Sequence, residues 1–257
     1  MSTVLLEKDG PLARIIFNRP ERMNTLDLPT AEAFAAAVAE ATGDAAIRVI
    51  TLSGAGRAFM AGGDLAAMQA GGDPQVVLRS IIDPAHTAMK ALAEAPQIVI
   101  AAVHGAVAGA GMSVALVADL CIASESTVMT YAYSKIGGVA DCGITWALPR
   151  IVGHRRALEI ALFSPAIPAR EALAMGLVNR LVPDEALEAE VAAVVAKLLS
   201  GPPEAFAAIK TLMRESHTRD FATALDAEGD AFVAAAGLPY FDAALAAFFA
   251  KSRAKAN

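Results

Sequence analysis

The chain has 257 residues, 56% of them hydrophobic. That length and apolar content allow one large domain, or one domain with a small appendage, and exclude a disordered chain. A net charge of −6 and a pI of about 5.3 exclude a broadly basic nucleic-acid-binding surface, though not a local basic patch for a phosphorylated ligand.

In chain order, Val4 to Glu7 and Leu12 to Phe17 read as two strands around the turn Asp9-Gly10-Pro11. Asn18 to Arg22 is a polar loop, and Pro29 opens an alanine-rich helix over Thr30 to Ala41. Arg48 to Ser53 is the next strand. Phe59 to Leu65 (FMAGGDL) sets small residues before a helix start that Asp64 can cap. Val76 to Ala95 is helical, with Pro84 marking a kink or a boundary.

Ile98 to Ala123 organises the rest. Ile98 to Val103 is an apolar, β-branched run that reads as a buried strand. His104 and Gly105 end it, and Gly109-Ala110-Gly111 leads into the apolar helix MSVALVA. The first amides of a helix lack intrahelical partners and sit in positive potential, so such a turn can hold an anion or a developing oxyanion. Two other readings stand beside this one. Ile98 to Ala118 has no Asp, Glu, Lys or Arg and is long enough to span a bilayer. The other is a buried strand–turn–helix without a ligand.

Further on, Thr127 to Tyr131 is a short strand and Ser134 to Gly143 a small-residue loop. Ile144 to Val152 and Arg155 to Phe163 are helices, and Leu177 to Val182 is the last strand. From Asp184 onward the pattern is helical. Alternating strands and helices followed by helices alone predict an α/β core over residues 1–200 and a helical C-terminal region over 201–257.

The cysteines Cys121 and Cys142 make neither a disulfide framework nor zinc spacing. His86, His104, His154 and His217 are scattered outside any H-E-x-x-H pattern, so no metal site is expected. Dinucleotide, phosphate-loop and G-x-S-x-G signatures are missing. The N-terminus has no signal-peptide pattern, and a cytoplasmic location is expected.

Three segments together resemble the crotonase family, the enoyl-CoA hydratases and isomerases. They are Phe17-Asn18-Arg19-Pro20 leading to Asn24-Thr25-Leu26, then Gly56 to Leu65 (GRAFMAGGDL), then Ile100 through Ala123 to Leu148-Pro149-Arg150-Ile151-Val152-Gly153. The resemblance spans about residues 4–250. It implies a superhelix of ββα units, a helical C-terminal region used in trimerisation, and a homotrimer or dimer of trimers. It implies an acyl-CoA thioester substrate, with coenzyme A as part of that substrate and no separate cofactor, nucleic acid or membrane partner. The thioester oxygen would lie between the amides of Gly63 and Ala110. CoA would meet the backbone near Arg22, Asn24 and Leu26 and near Ala61, Asp64 and Leu65. Arg22 and Lys210 could face its phosphates.

The chain departs from the family at two places. Where hydratases carry two glutamates, it has Ser113 and Tyr133. Neither is a carboxylate base. The carboxylate that remains is Asp141, placed like the aspartate of ring-epoxide and enoyl-CoA isomerases and of aryl-CoA dehalogenases. Asp141 reads as a proton shuttle or, alternatively, as a cap for the helix after Gly143. Ser113, Tyr133 and Trp146 are candidate substrate contacts. The implied function is an acyl-CoA isomerase moving a double bond through a thioester enolate. The alternatives are a hydratase, another hydrolytic or dehalogenating acyl-CoA enzyme, or a decayed acyl-CoA-binding homologue.

Overall fold

The computed structural model describes residues 2–256. The chain opens with an antiparallel hairpin, β1 (Val4–Asp9) and β2 (Leu12–Phe17), followed by α1 (Leu28–Gly43). Asp27 caps α1 by accepting from the Thr30 amide.

Three strand pairs then repeat. They are β3 (Val49–Gly54) with β4 (Ala58–Met60), β5 (Ile98–Val103) with β6 (Ala106–Ala108), and β7 (Leu120–Ser124) with β8 (Val128–Thr130). Helices α2 (Leu65–Ala70) and α3 (Pro74–Glu94) follow the first pair, and α4 (Ala110–Val117) follows the second. The first strand of each pair joins one parallel sheet, in which β3 pairs with β5 and β5 with β7. The second strands join another, β4 with β6 and β6 with β8. Each turn of the chain thus adds a strand to both sheets, which is a superhelix of ββα units.

The remaining elements are α5 (Ile144–Val152), α6 (His154–Phe163), β9 (Ile167–Pro168), α7 (Ala169–Ala174) and β10 (Arg180–Val182). They close the sheets in the orders β1-β2-β3-β5-β7-β10 and β4-β6-β8-β9. Helices α8 (Leu187–Leu199), α9 (Pro203–Glu215), α10 (Phe221–Ala236) and α11 (Pro239–Ala256) complete the chain.

Alternation along the strands sorts side chains between two cores. Ile15, Ile50, Leu52, Val99, Ala101 and Val103 enter the main core beneath α1, α3 and α4. Leu12, Val49, Ile100 and Ile122 point to the other face, where Val194 and Val195 of α8 cover them. Burial on both faces is why Ile98–Val103 is continuously apolar.

The structure corrects several sequence expectations. The bilayer reading of Ile98 to Ala118 gives way to β5, β6 and the eight-residue α4. Among the described residues no single helix is long and apolar enough to cross a membrane. Pro84 lies inside α3 and does not mark a helix boundary. The short strands β6 and β7 were hidden in the apolar run, because periodicity cannot separate a buried helix from a buried strand.

Candidate active site

The site grows from two glycine turns that the superhelix stacks side by side. Gly62 ends the first turn and Gly109 the second, with φ of 107° and 52°. A Cβ on Gly109 would meet the Gly62 Cα at 3.4 Å, an ordinary contact, so it is the positive φ that favours glycine there.

Gly63 and Ala110 follow these glycines. Leu26 donates its amide to Gly62 O at 2.8 Å and accepts from the Asp64 amide at 2.9 Å. In parallel pairing, the residue between two such bonds turns its own amide away from that partner. The Gly63 N–H therefore faces away from Leu26. Ala110 is the first residue of α4, so its N–H has no intrahelical partner. Gly111 lets α4 start there: a Cβ on it would stand 2.2 Å from Met60 O.

The loop bearing Gly63 is pinned by a polar cluster. Arg19 bridges Asp27 at 3.0 Å and Asp64 at 3.1 Å, and donates to Thr25 O at 2.7 Å. Asp64 also caps α2 through the Ala67 amide at 3.1 Å. Burial pushes the Asp64 carboxyl up, but the Ala67 amide and Arg19 outweigh it and hold the group below the usual carboxylate range.

Asn24 is wholly buried. It accepts from the Arg19 amide at 2.8 Å and donates to the carbonyls of Ala55, Ala58 and Phe59. The side chains of Asn24 and Asp64 are thus spent inside the protein, and what this segment can offer a ligand is backbone. Leu26 is buried, whereas Arg22 and Leu65 are exposed and Ala61 is half-buried.

One helical turn beyond Ala110, Ser113 begins a second cluster. Its Oγ lies 3.1 Å from the Tyr133 hydroxyl and 3.1 Å from the Asp141 carbonyl. Tyr133 donates to Asp141 Oδ1 at 2.5 Å. Burial first, then the Asp141 charge, push the Tyr133 phenol above its ordinary range and keep it a donor. The cap expected of Asp141 is not formed: Gly143 occupies the N-cap place of α5, without a side-chain bond, and the Asp141 carboxylate faces Tyr133 instead.

A histidine that the sequence offered only as one of four scattered ones completes the cluster. His86 of α3 accepts the Cys142 amide on Nε2 at 3.1 Å. Pairing across 56 positions leaves no local sequence signal. His86, Asp141 and Cys142 bring donor atoms within 4.8 Å of one another. His86 Nε2 and the carboxylate are already engaged by protein partners, so the group reads as a hydrogen-bonded arrangement.

Beside it lies a cavity of about 640 Å³ lined by His86, Met89, Ala93, Val117, Cys142 and Trp146, among others. Trp146 is 43% exposed, with the Arg150 guanidinium 4.1 Å from its ring centre.

Lys210 sits elsewhere. It is buried, bonded to the carbonyls of Leu92 and Gln97, and paired with Asp119 at 2.9 Å. A phosphate-facing role is therefore corrected to an anchor for α9.

Paired backbone amides at stacked glycine turns of a ββα superhelix, with Ser113 one helical turn on and bonded to Tyr133 and Asp141, define a crotonase-fold enzyme. The comparisons agree. The enoyl-CoA hydratase/isomerase family model matches residues 7–254. A Rhodobacter capsulatus protein named "Probable enoyl-CoA hydratase" is 43% identical over 209 residues, covering 81% of this chain and 79% of its own. The 1,2-epoxyphenylacetyl-CoA isomerase of Escherichia coli is 33% identical over 233 residues, covering 90% and 88%. A Mycobacterium abscessus enoyl-CoA hydratase/isomerase family structure superposes with a TM-score of 0.92 at 31% identity, covering 96% of both chains. A Thermobifida fusca structure in complex with CoA gives 0.83 at 32%, covering 91% and 92%. The chain belongs to the enoyl-CoA hydratase/isomerase family.

Proposed function

We propose that this member is an acyl-CoA isomerase that shifts a double bond through a thioester enolate. The observation that carries the reading is the cluster at α4. Ser113 and Tyr133 stand where the family resemblance puts the hydratase glutamates, and both bond to Asp141.

In this mechanism the thioester oxygen accepts from the Gly63 and Ala110 amides. Asp141 removes a proton from C2 of a 3-enoyl thioester. The electron pair moves onto the oxygen, where the amides stabilise the dienolate. Asp141 then returns the proton at C4, giving the 2-enoyl isomer with no net gain or loss of atoms. Neither Ser113 nor Tyr133 is a base for activating water. The cavity beside Cys142 is the proposed acyl space, and the likeness to a CoA-bound structure supports an acyl-CoA substrate.

We further propose a homotrimer, alone or as a dimer of trimers. Phe221, Phe232, Val233, Phe248 and Phe249 of α10 and α11 are exposed in the single chain, and apolar surface of this kind is covered in stable assemblies. Sedimentation of the full chain as a monomer would overturn this.

A hydratase is the second reading, favoured by the name of the Rhodobacter relative. Incubation with 2-enoyl, 3-enoyl and ring-derived acyl-CoAs, read by mass and ultraviolet absorbance, separates the two. The isomerase reading expects unchanged mass with shifted absorbance, lost in Asp141→Asn. A gain of one water, or full isomerase activity in Asp141→Asn, rejects it.

A further inference from the structure

Two residues beside the Tyr133–Asp141 pair have backbone conformations that L-residues rarely adopt. Ala132, just before Tyr133, has φ 65° and ψ −32°, and the Tyr133 amide bonds back to Tyr131 O at 2.9 Å. That is the strained form of the γ-turn. Cys142, just after Asp141, has φ 53°. Its amide is held by His86 Nε2 at 3.1 Å. The strain therefore flanks one hydrogen bond, Tyr133 to Asp141 Oδ1, from both chain segments. Such strain persists only where surrounding contacts over-determine it, and it concentrates at functional sites.

The contacts that over-determine it are visible. Ser113 meets Tyr133 and the Asp141 carbonyl from α4. The Tyr131 ring packs edge-on against Tyr133, with centroids 5.3 Å apart.

We propose that Tyr133 is the positioning residue of Asp141. Its hydroxyl, steadied by Ser113, takes Oδ1 and leaves Oδ2 to carry the substrate proton. The step served rests on the reading of Asp141 as the base. The other titratable groups around the carboxylate are His86 from α3 and the adjacent Cys142. Lys90, Glu94, Arg214 and Glu215 line the adjoining cavity. These groups remain in the variants below, so a change in Asp141 titration reports Tyr133.

The test is the Asp141 titration itself, followed by carbon-13 NMR of aspartate-labelled full-length protein and assigned with Asp141→Asn. Tyr133→Phe should raise the Asp141 midpoint, because the variant lacks the hydroxyl that bonds Oδ1. Ser113→Ala should raise it less. Replacing tyrosine with 3-fluorotyrosine, a stronger donor on an unchanged fold, should lower it. In parallel, the acidic limb of kcat/KM should move with the midpoint, which a merely structural role would not do.

An Asp141 midpoint unmoved by Tyr133→Phe, or by fluorotyrosine if that variant does not fold, overturns the proposal. A midpoint that moves while Asp141→Asn keeps full activity leaves the Tyr133–Asp141 pairing standing and removes only the assignment of Asp141 as base.

Discussion

Gly109 packs against Gly62, whose Cα a Cβ on Gly109 would meet at 3.4 Å. The two turns carry Gly63 and Ala110 on their next residues, so this contact sets the spacing of the two amides. Gly109→Ala forces a side chain onto φ 52° and ψ −121°. It should cost about 1–3 kcal/mol of stability in urea unfolding. Displacing one oxyanion donor should lower kcat by about 10²–10³-fold. Unchanged kcat in a folded variant would dissociate the turns from catalysis.

Asn24 makes four hydrogen bonds from a fully buried position, tying the loop before α1 to the carbonyls around β4. Asn24→Ala leaves these groups without their partner and places alanine at φ 57°. A loss of at least about 2–3 kcal/mol is expected in denaturant titration. Activity should fall as well, because Leu26 two residues on holds Gly63.

Lys210 anchors α9 to the core through Asp119 and two carbonyls. Lys210→Met should destabilise by about 3–5 kcal/mol, since a buried pair loses one partner. The KM for acyl-CoA should change little in whatever fraction folds. A large KM effect without destabilisation would restore a phosphate contact.

Alkaline pH should weaken the fold. Burial pushes the Cys121 thiol from 9.0 to about 12 and raises Cys142 as well, while burial and Asp141 raise Tyr133. Above about pH 9 the unfolded chain releases these protons and the folded chain keeps them, so stability falls with rising pH. Lys210 acts the opposite way, because burial lowers its pKa despite Asp119. Tyr131 and Lys8 are raised as well and act with the cysteines and Tyr133, so the net is a decline, starting near pH 9 in thermal melts. Cys121→Ala should make that slope shallower by up to about 1.4 kcal/mol per pH unit. A flat stability profile from pH 8 to 11 would contradict these burials.

Local chemistry decided much of this protein before folding. The β-branched run at Ile98–Val103, the Asp9-Gly10-Pro11 turn and the glycines before Ala110 mark strand, hairpin and helix start, because dihedral preference and side-chain period act over a few residues. The motif order carried the family, and with it the expectation for Gly63, Ala110 and Asp141. What Asp141 touches was settled only by the tertiary structure. Its side chain had two local options, capping the helix after Gly143 or facing elsewhere, and the Tyr133 hydroxyl decided between them. Ser113, Tyr133 and His86 reach the same few ångströms from three separate elements, and Lys210 turns from surface candidate to buried anchor because Asp119 lies opposite it. Hydrogen bonds and ion pairs such as Ser113–Tyr133, Cys142–His86 and Lys210–Asp119 join residues far apart in the chain and leave no periodic trace in a single sequence, since they depend on how the superhelix stacks its turns.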